Sequence, residues 1–382
     1  SWGGGHLWRV LVKRVGRTFI GDEAVSTVTT SAMPPRIAGV TASTMQTSGG
    51  AVAVTIRGFG FGELDRPVSV TYGGEDGRRF SAQRCVVTDV QQSTVRCGAV
   101  PSGLGINLRF LLSLAGLTSD AYSSRVSYAP PIVQSVVVRR AGEATTSGAS
   151  NNATQQQLLR TAGGDTIVVR GESLSDGAYA DGLVLTYGAG ADFRTALQCR
   201  VTVPHVELQC LSAAGVATGH VVALSVGGQA APTASAFALS YAPPSIQVVT
   251  GVGAVASGTA GGEPMTIRGS DFGPSSTSLS RLAVHYGPSG NPRKYEAASC
   301  RYGADHSELV CQAVAGTGKG HAITVSVAGQ DSAPLLGAVN HYPMETRPTR
   351  ARCGPQTLPP STPQTRWPPT PQPPWPRWTS VE

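Results

Sequence analysis

Tyr128-Ala129-Pro130-Pro131 returns unchanged as Tyr241-Ala242-Pro243-Pro244, 113 residues further along the chain. The same step separates Arg57-Gly58 from Arg170-Gly171, and Cys97 from Cys210. Independent markers that keep one offset identify an internal repeat, and a repeat governs the fold before any single element does. A third copy carries Arg268-Gly269, Cys311 and Tyr342-Pro343, the last two markers stepping by 101 residues.

Working outward from these markers, every unit reads in the same order. Pro and an alternating apolar stretch open it, as in Pro131 through Val138, and a Gly-Gly turn follows at Gly49-Gly50, Gly163-Gly164 and Gly261-Gly262. Next come a strand ending on Arg-Gly, a strand closing on Tyr-Gly (Tyr72-Gly73, Tyr187-Gly188, Tyr286-Gly287), two cysteines, and an alternating strand such as His220 to Gly227. A last strand ends on Tyr. Period-two alternation broken by Gly and Pro turns about every ten residues predicts a β-sandwich, and about 100 residues suit seven such strands.

The order Pro-x-Ile, Gly-Gly, Ile-x-Gly, Phe-Gly, Tyr-Gly, paired Cys and terminal Tyr resembles IPT/TIG repeats. These are known from plexins, hepatocyte-growth-factor-type receptors, fibrocystin-like ciliary proteins and algal surface proteins. The Phe-Gly element is Phe61-Gly62 and Phe272-Gly273; the middle unit departs from it with Leu174-Ser175. The resemblance covers residues 1 to about 343. It implies an all-β chain of tandem Ig-like β-sandwiches that binds partners instead of catalysing a reaction. The expected organisation is a partial domain at 1–32 and IPT/TIG domains at 33–129, 130–242 and 243–343. A disordered Pro-rich tail is expected at 344–382. Gly5-His6 with Leu7 to Gly16 resembles Gly219-His220 with its strand, so the first 32 residues read as the last two strands of a preceding unit, poorly ordered or docked on the next.

Composition agrees. Gly (47) and Pro (27) are abundant among the 382 residues and charged residues make up only 14%, which suits short strands and turns. No apolar run reaches the length of a membrane span; the best candidate, Leu104 to Leu117, is short and carries Arg109. No signal peptide stands at Ser1, and without an initiator Met the chain reads as a fragment or processed product. The net charge of +7 is heaviest at the ends, at Arg9, Lys13, Arg14 and Arg17 and again at Arg347, Arg350, Arg352, Arg366 and Arg377. It reads as solvated surface charge, with no basic recognition helix beside it.

Six of the seven cysteines fall into three pairs with like spacing: Cys85/Cys97, Cys199/Cys210 and Cys300/Cys311. One local disulfide per unit is expected, and with it an oxidising compartment. Metal ligation wants C-x-x-C or His-bearing spacings that do not occur, and reduced core thiols do not explain the pairing. Cys353 is left over, for an intermolecular bridge or as a free thiol. Asn152-Ala153-Thr154 is a glycosylation sequon in a polar stretch.

Other strings carry less. Gly58-Phe59-Gly60-Phe61-Gly62 has no following helix to hold a phosphate and reads as a strand end. Asp271-Phe272-Gly273 matches a kinase triplet with no other kinase element around it. His6, His220 and His321 recur at one repeat position, so they cannot converge on one metal, and they read as turn residues before a strand. No catalytic constellation and no cofactor site emerge. The tail, with Trp367, Trp375 and Trp378 among prolines, cannot build a core and suits extended polyproline II, as a glycosylated stalk or a solvated linker.

The expected function is therefore extracellular or cell-surface binding, a ciliary or cell-wall setting included. The repeats would form an extended, fairly stiff rod that acts as spacer and interaction surface for protein or glycan partners. The alternatives are an accessory module of a polysaccharide-active enzyme and an intracellular DNA-binding Ig-like protein. The cysteine pairs argue against the second, so no nucleic-acid partner is expected.

Overall fold

The computed structural model of the protein describes residues 6–10, 24–30, 33–140, 158–178, 182–189 and 192–339. The chain divides into two units, Ser1–Pro343 and Met344–Glu382; the Pro-rich tail and Cys353 fall in the second and lie outside the described residues, as does Asn152.

In the first unit, strands β1 (His6–Val10) and β2 (Ala24–Thr30) pair with each other antiparallel. An eight-strand set follows: β3 (Arg36–Ala42), β4 (Val54–Phe59), β5 (Ser69–Gly73), β6 (Phe80–Val87), β7 (Thr94–Ala99), β8 (Arg109–Leu114), β9 (Leu117–Thr118) and β10 (Tyr122–Ser123). It forms one sheet face in the order β3-β4-β7-β6 and another built on β6-β5-β8, with β6 shared by both.

The second set comprises β11 (Ile132–Arg139), β12 (Thr166–Glu172), β13 (Leu183–Ala189), β14 (Asp192–Thr195), β15 (Leu197–Val203), β16 (Glu207–Leu211), β17 (His220–Val226), β18 (Gln229–Ala230) and β19 (Ala238–Leu239). The third comprises β20 (Ser245–Thr250), β21 (Pro264–Ser270), β22 (Leu282–Gly287), β23 (Tyr295–Glu296), β24 (Ala298–Ala304), β25 (Glu308–Gln312), β26 (His321–Val327), β27 (Gln330–Asp331) and β28 (Leu335–Val339). Each has two separate antiparallel sheets, β11-β12-β16-β15 with β14-β13-β17-β18, and β20-β21-β25-β24 with β23-β22-β26-β27. The strand shared in the first sandwich is cut in two in the others, at buried Ala196 and Ala297.

This is a tandem of Ig-like β-sandwiches, and each has its own core. Ile56, Val169 and Ile267 occupy the same inward position of the central strand and are fully buried. Alternation is clean where one sheet face meets solvent, as in β17, whose residues alternate inward and outward from His220. The Tyr of each Tyr-Gly pair (Tyr72, Tyr187, Tyr286) is fully buried, and so are Tyr128 and Tyr241 of the Tyr-Ala-Pro-Pro strings. Two of these tyrosines meet in the first core, Tyr72 Oη to Tyr128 Oη at 2.8 Å, and two in the second, Tyr187 Oη to Tyr241 Oη at 3.1 Å. Burial raises the pKa of both Tyr187 and Tyr241, keeping the phenols neutral.

The Arg-Gly pair has a steric cause. A Cβ on Gly58, Gly171 or Gly269 would sit 2.0, 1.8 or 1.9 Å from the carbonyl oxygen of Arg36, Ile132 or Ser245. Each glycine lies where the first strand of its sandwich shifts register against the second. The Gly-Gly turn needs left-handed backbone, with φ of +73° and +122° at Gly49 and Gly50 and similar values in the other two copies. Leu174 replaces Phe61 and Phe272 in the same fully buried place, so the departure at Leu174-Ser175 leaves the core intact. Ser175 takes the left-handed φ (+78°) that Gly62 and Gly273 adopt. Among the described residues, no helix is long and apolar enough to cross a membrane.

Candidate functional site at the joints between sandwiches

The side chains that do most beyond the individual cores lie where one sandwich meets the next. Leu104, in the first sandwich's loop between β7 and β8, is buried in the core cluster of the second. Val216, one repeat later, is buried in the core cluster of the third. One side chain per joint thus crosses into its neighbour's apolar interior, which ties the two cores together by about 1.5–3 kcal/mol of burial.

Polar contacts recur around these plugs. Gln229, at the start of β18, donates from Nε2 to the carbonyl of Tyr128 at 2.8 Å; Gln330, at the start of β27, donates to that of Tyr241 at 2.9 Å. The tyrosine that marks the end of each unit therefore holds its own core by its ring and the next sandwich by its main chain. Thr47 Oγ1 lies 3.0 Å from His205 Nδ1, and Thr161 Oγ1 lies 3.0 Å from His306 Nδ1. His205 and His306 occupy one repeat position, with φ of +63° and +62°.

The second joint adds charge. Asp271 Oδ1 accepts from the Thr161 amide at 2.9 Å and from its hydroxyl at 3.3 Å. With the Thr161 hydroxyl proton turned to Asp271, His306 Nδ1–H is the donor to Thr161 Oγ1. Burial lowers the His306 pKa below the ordinary histidine value, against the upward pull of Asp305 and Asp271. Arg281, of the third sandwich, pairs with Asp192 of the second at 2.6 Å. At the first joint Ser102 donates to Asp176. Burial pushes Asp176 up, but hydrogen bonds from Ser102 and the Ala178 amide, and the nearby His205 charge, leave its carboxyl below the usual range.

The sequence-predicted site residues fall elsewhere. Cys85–Cys97, Cys199–Cys210 and Cys300–Cys311 are bonded, each tying neighbouring strands of one sheet with Cα atoms 3.8, 4.1 and 4.1 Å apart. The histidine expectation needs correcting. His220 and His321 are the first residues of their strands and face the core, each buried and set edge-on or tilted against two tyrosines. His220 Nε2 is held by the Val216 carbonyl at 2.9 Å. They are core residues because the alternation of β17 and β26 points their first side chain inward. Asp271 is likewise more than part of an accidental triplet, since it builds the second joint. Among the described residues, no group of three or more His, Cys, Asp or Glu stands close enough to hold a metal ion.

The joint residues Thr47, Thr161, Gln229 and Gln330 were not singled out from sequence, nor were His205 and His306. A signal for them exists, because His205 and His306, like Gln229 and Gln330, keep the 101-residue step of the third unit.

No family model and no curated protein matches the chain. Solved structures do. One, described as a crystal structure with a xylogluco-oligosaccharide, matches at 12% identity and a TM-score of 0.31, covering 82% of this chain and 61% of that one. The plexin A4 full extracellular region matches at 13% identity and a TM-score of 0.25, covering 81% of this chain and 23% of its own. The Escherichia coli adhesin FdeC matches at 13% identity and a TM-score of 0.22, covering 80% and 96%. The chain thus spans less than two thirds of the first two. With superpositions this loose, the Ig-like assignment stands on the sheets and registers themselves.

Proposed function

We propose that this chain is an extracellular or cell-surface binding protein of the IPT/TIG kind, without catalytic activity. Its sandwiches act as a stiff spacer and as interaction surfaces for protein or glycan partners. The observation that carries the reading is the joint: the same repeat positions dock sandwich on sandwich twice, by an apolar plug, a Gln-to-carbonyl clamp and a Thr–His contact. Domains that needed only to be linked would not require it. The three disulfides support an oxidising compartment.

The test is to label intact source cells with a membrane-impermeant amine reagent, for which Lys294 and Lys319 are exposed. Modification without permeabilisation is the expected result. Modification only after lysis overturns the surface assignment and favours the intracellular reading.

A further inference from the structure

The outer face of sheet β3-β4-β7-β6 in the first sandwich differs in charge from its counterparts. Arg84 on β6, Arg96 on β7, Arg57 on β4 and Arg36 on β3 are all exposed. The registers place them on one line. Arg96 lies opposite Thr55 while Arg57 lies opposite Thr94, and Arg36 lies opposite Phe59 while Gly39 faces Arg57. Arg84 lies over Gly98, two residues beyond Arg96 on the same strand. Each step therefore moves one strand across and two residues along, which spaces the guanidinium-bearing positions by about 7–8 Å in a diagonal stripe. Phe59, 67% exposed, stands beside the upper end.

The other sandwiches neutralise this face. Arg57 corresponds to Arg170 and Arg268, and each of those is paired with a cross-strand carboxylate, Glu207 or Glu308, at 2.8 Å. The first sandwich has Thr94 at that position. Arg84 corresponds to Gln198 and Ser299, which share its left-handed backbone, and Arg96 corresponds to Gln209 and Val310. Arg36 corresponds to Ile132 and Ser245, and Phe59 to Glu172 and Ser270. Arg200 and Arg301 take the place of Val86, so with Arg139 on β11 this face carries three arginines against two glutamates in the second sandwich, and two against one in the third. In the first it carries four arginines and no carboxylate. Asp89, at the adjacent turn, is committed to Ser93 and Thr94, whose hydrogen bonds hold its pKa near 2.

We propose that this arginine stripe binds a linear anionic polysaccharide, sulfated or uronate-bearing. Guanidinium groups pair with sulfate and carboxylate through two parallel hydrogen bonds, and a regular row of them matches a polymer with regularly placed anionic groups. The exposed Phe59 ring offers a flat apolar surface to a sugar face. An acidic peptide fits less well, because peptides gain affinity by adding to a sheet edge. The stripe instead crosses strands β4 and β7, whose main-chain groups are already paired within the sheet. The inference rests on the glycan form of the surface-binding reading.

The test measures binding of the whole chain to immobilised heparin and to polygalacturonate at about 0.15 M salt, with xyloglucan, polyglutamate and single-stranded DNA as comparisons. Binding to at least one of the two anionic polysaccharides is expected. Thr94→Glu, which installs the carboxylate of the other repeats, should weaken it about 3–10-fold. Combined Arg57→Gln, Arg84→Gln and Arg96→Gln should weaken it more than about 10-fold and flatten its salt dependence, since each ionic contact contributes on the order of one unit of log–log slope. Combined Arg200→Gln and Arg301→Gln should change it less than about 2-fold. Thermal unfolding of each variant is followed alongside, and Thr94→Glu, a surface change, keeps the test open if the triple variant fails to fold. No binding to either anionic polysaccharide, equal loss in the Arg200/Arg301 variant, or tighter binding to polyglutamate or DNA overturns the proposal. A chain labelled on intact cells that ignores both polysaccharides sinks the stripe and leaves the surface reading standing. Heparin binding by a chain labelled only after lysis does the reverse.

Discussion

At the residue scale, the recurring letters of the sequence mark places where chemistry leaves no choice. Gly171 is one: a Cβ there would overlap the Ile132 carbonyl at 1.8 Å. Gly171→Ala should destabilise the second sandwich by about 2–3 kcal/mol, seen as a lower denaturant midpoint for that sandwich alone. The tyrosine pairs are another. Tyr241 donates to the Ala213 carbonyl at 2.7 Å and meets Tyr187 in the dry core. Tyr241→Phe removes the donor while keeping the ring, so a loss of about 1–2 kcal/mol is expected, and an unchanged midpoint would show that the hydroxyls are idle. These positions were legible in sequence because sterics and burial act on the residue type itself.

At the element scale, what matters is register, and that was less legible. The alternation of β17 reads directly from the chain, yet its consequence for His220 was missed, because a histidine at a strand start looks like a turn residue until the inward side is known. The arginine stripe is harder still. Arg36, Arg57, Arg84 and Arg96 follow no period along the chain, and only the pairing of four strands lines them up. The joints also live at this scale. Thr161→Val with Gln330→Ala should leave each sandwich's unfolding midpoint unchanged while loosening the second joint, so that NMR relaxation reports the third sandwich tumbling more independently; identical relaxation would contradict the clamp.

The second joint also has a pH dependence. His306 is harder to protonate in the docked state than in water, because burial outweighs Asp305 and Asp271. Its contribution to docking is therefore fully present above the ordinary histidine value of 6.5 and is lost as pH falls through the lower, docked value. Faster hydrogen exchange at the Thr161 amide at pH 5 than at pH 7, after correction for intrinsic rates, is the expected outcome.

At the scale of the whole molecule, three sandwiches, three disulfides and two like joints make up one tandem. The repeat markers and cysteine spacings pointed to that architecture because covalent links and tandem copies leave traces at fixed offsets. The joints left fainter traces, since a contact between domains needs only a few compatible residues on each side. Each short-range disulfide closes a loop of about a dozen residues and should contribute about 3 kcal/mol to its own sandwich on the chain-entropy account, so reduction should lower all three calorimetric transitions.

The most direct measurement is non-reducing peptide mapping by mass spectrometry on protein recovered from its source. Cys85–Cys97, Cys199–Cys210 and Cys300–Cys311 are the expected bridged peptides. Six free thiols in the native protein would contradict these bridges and remove the oxidising compartment on which the proposed surface function depends.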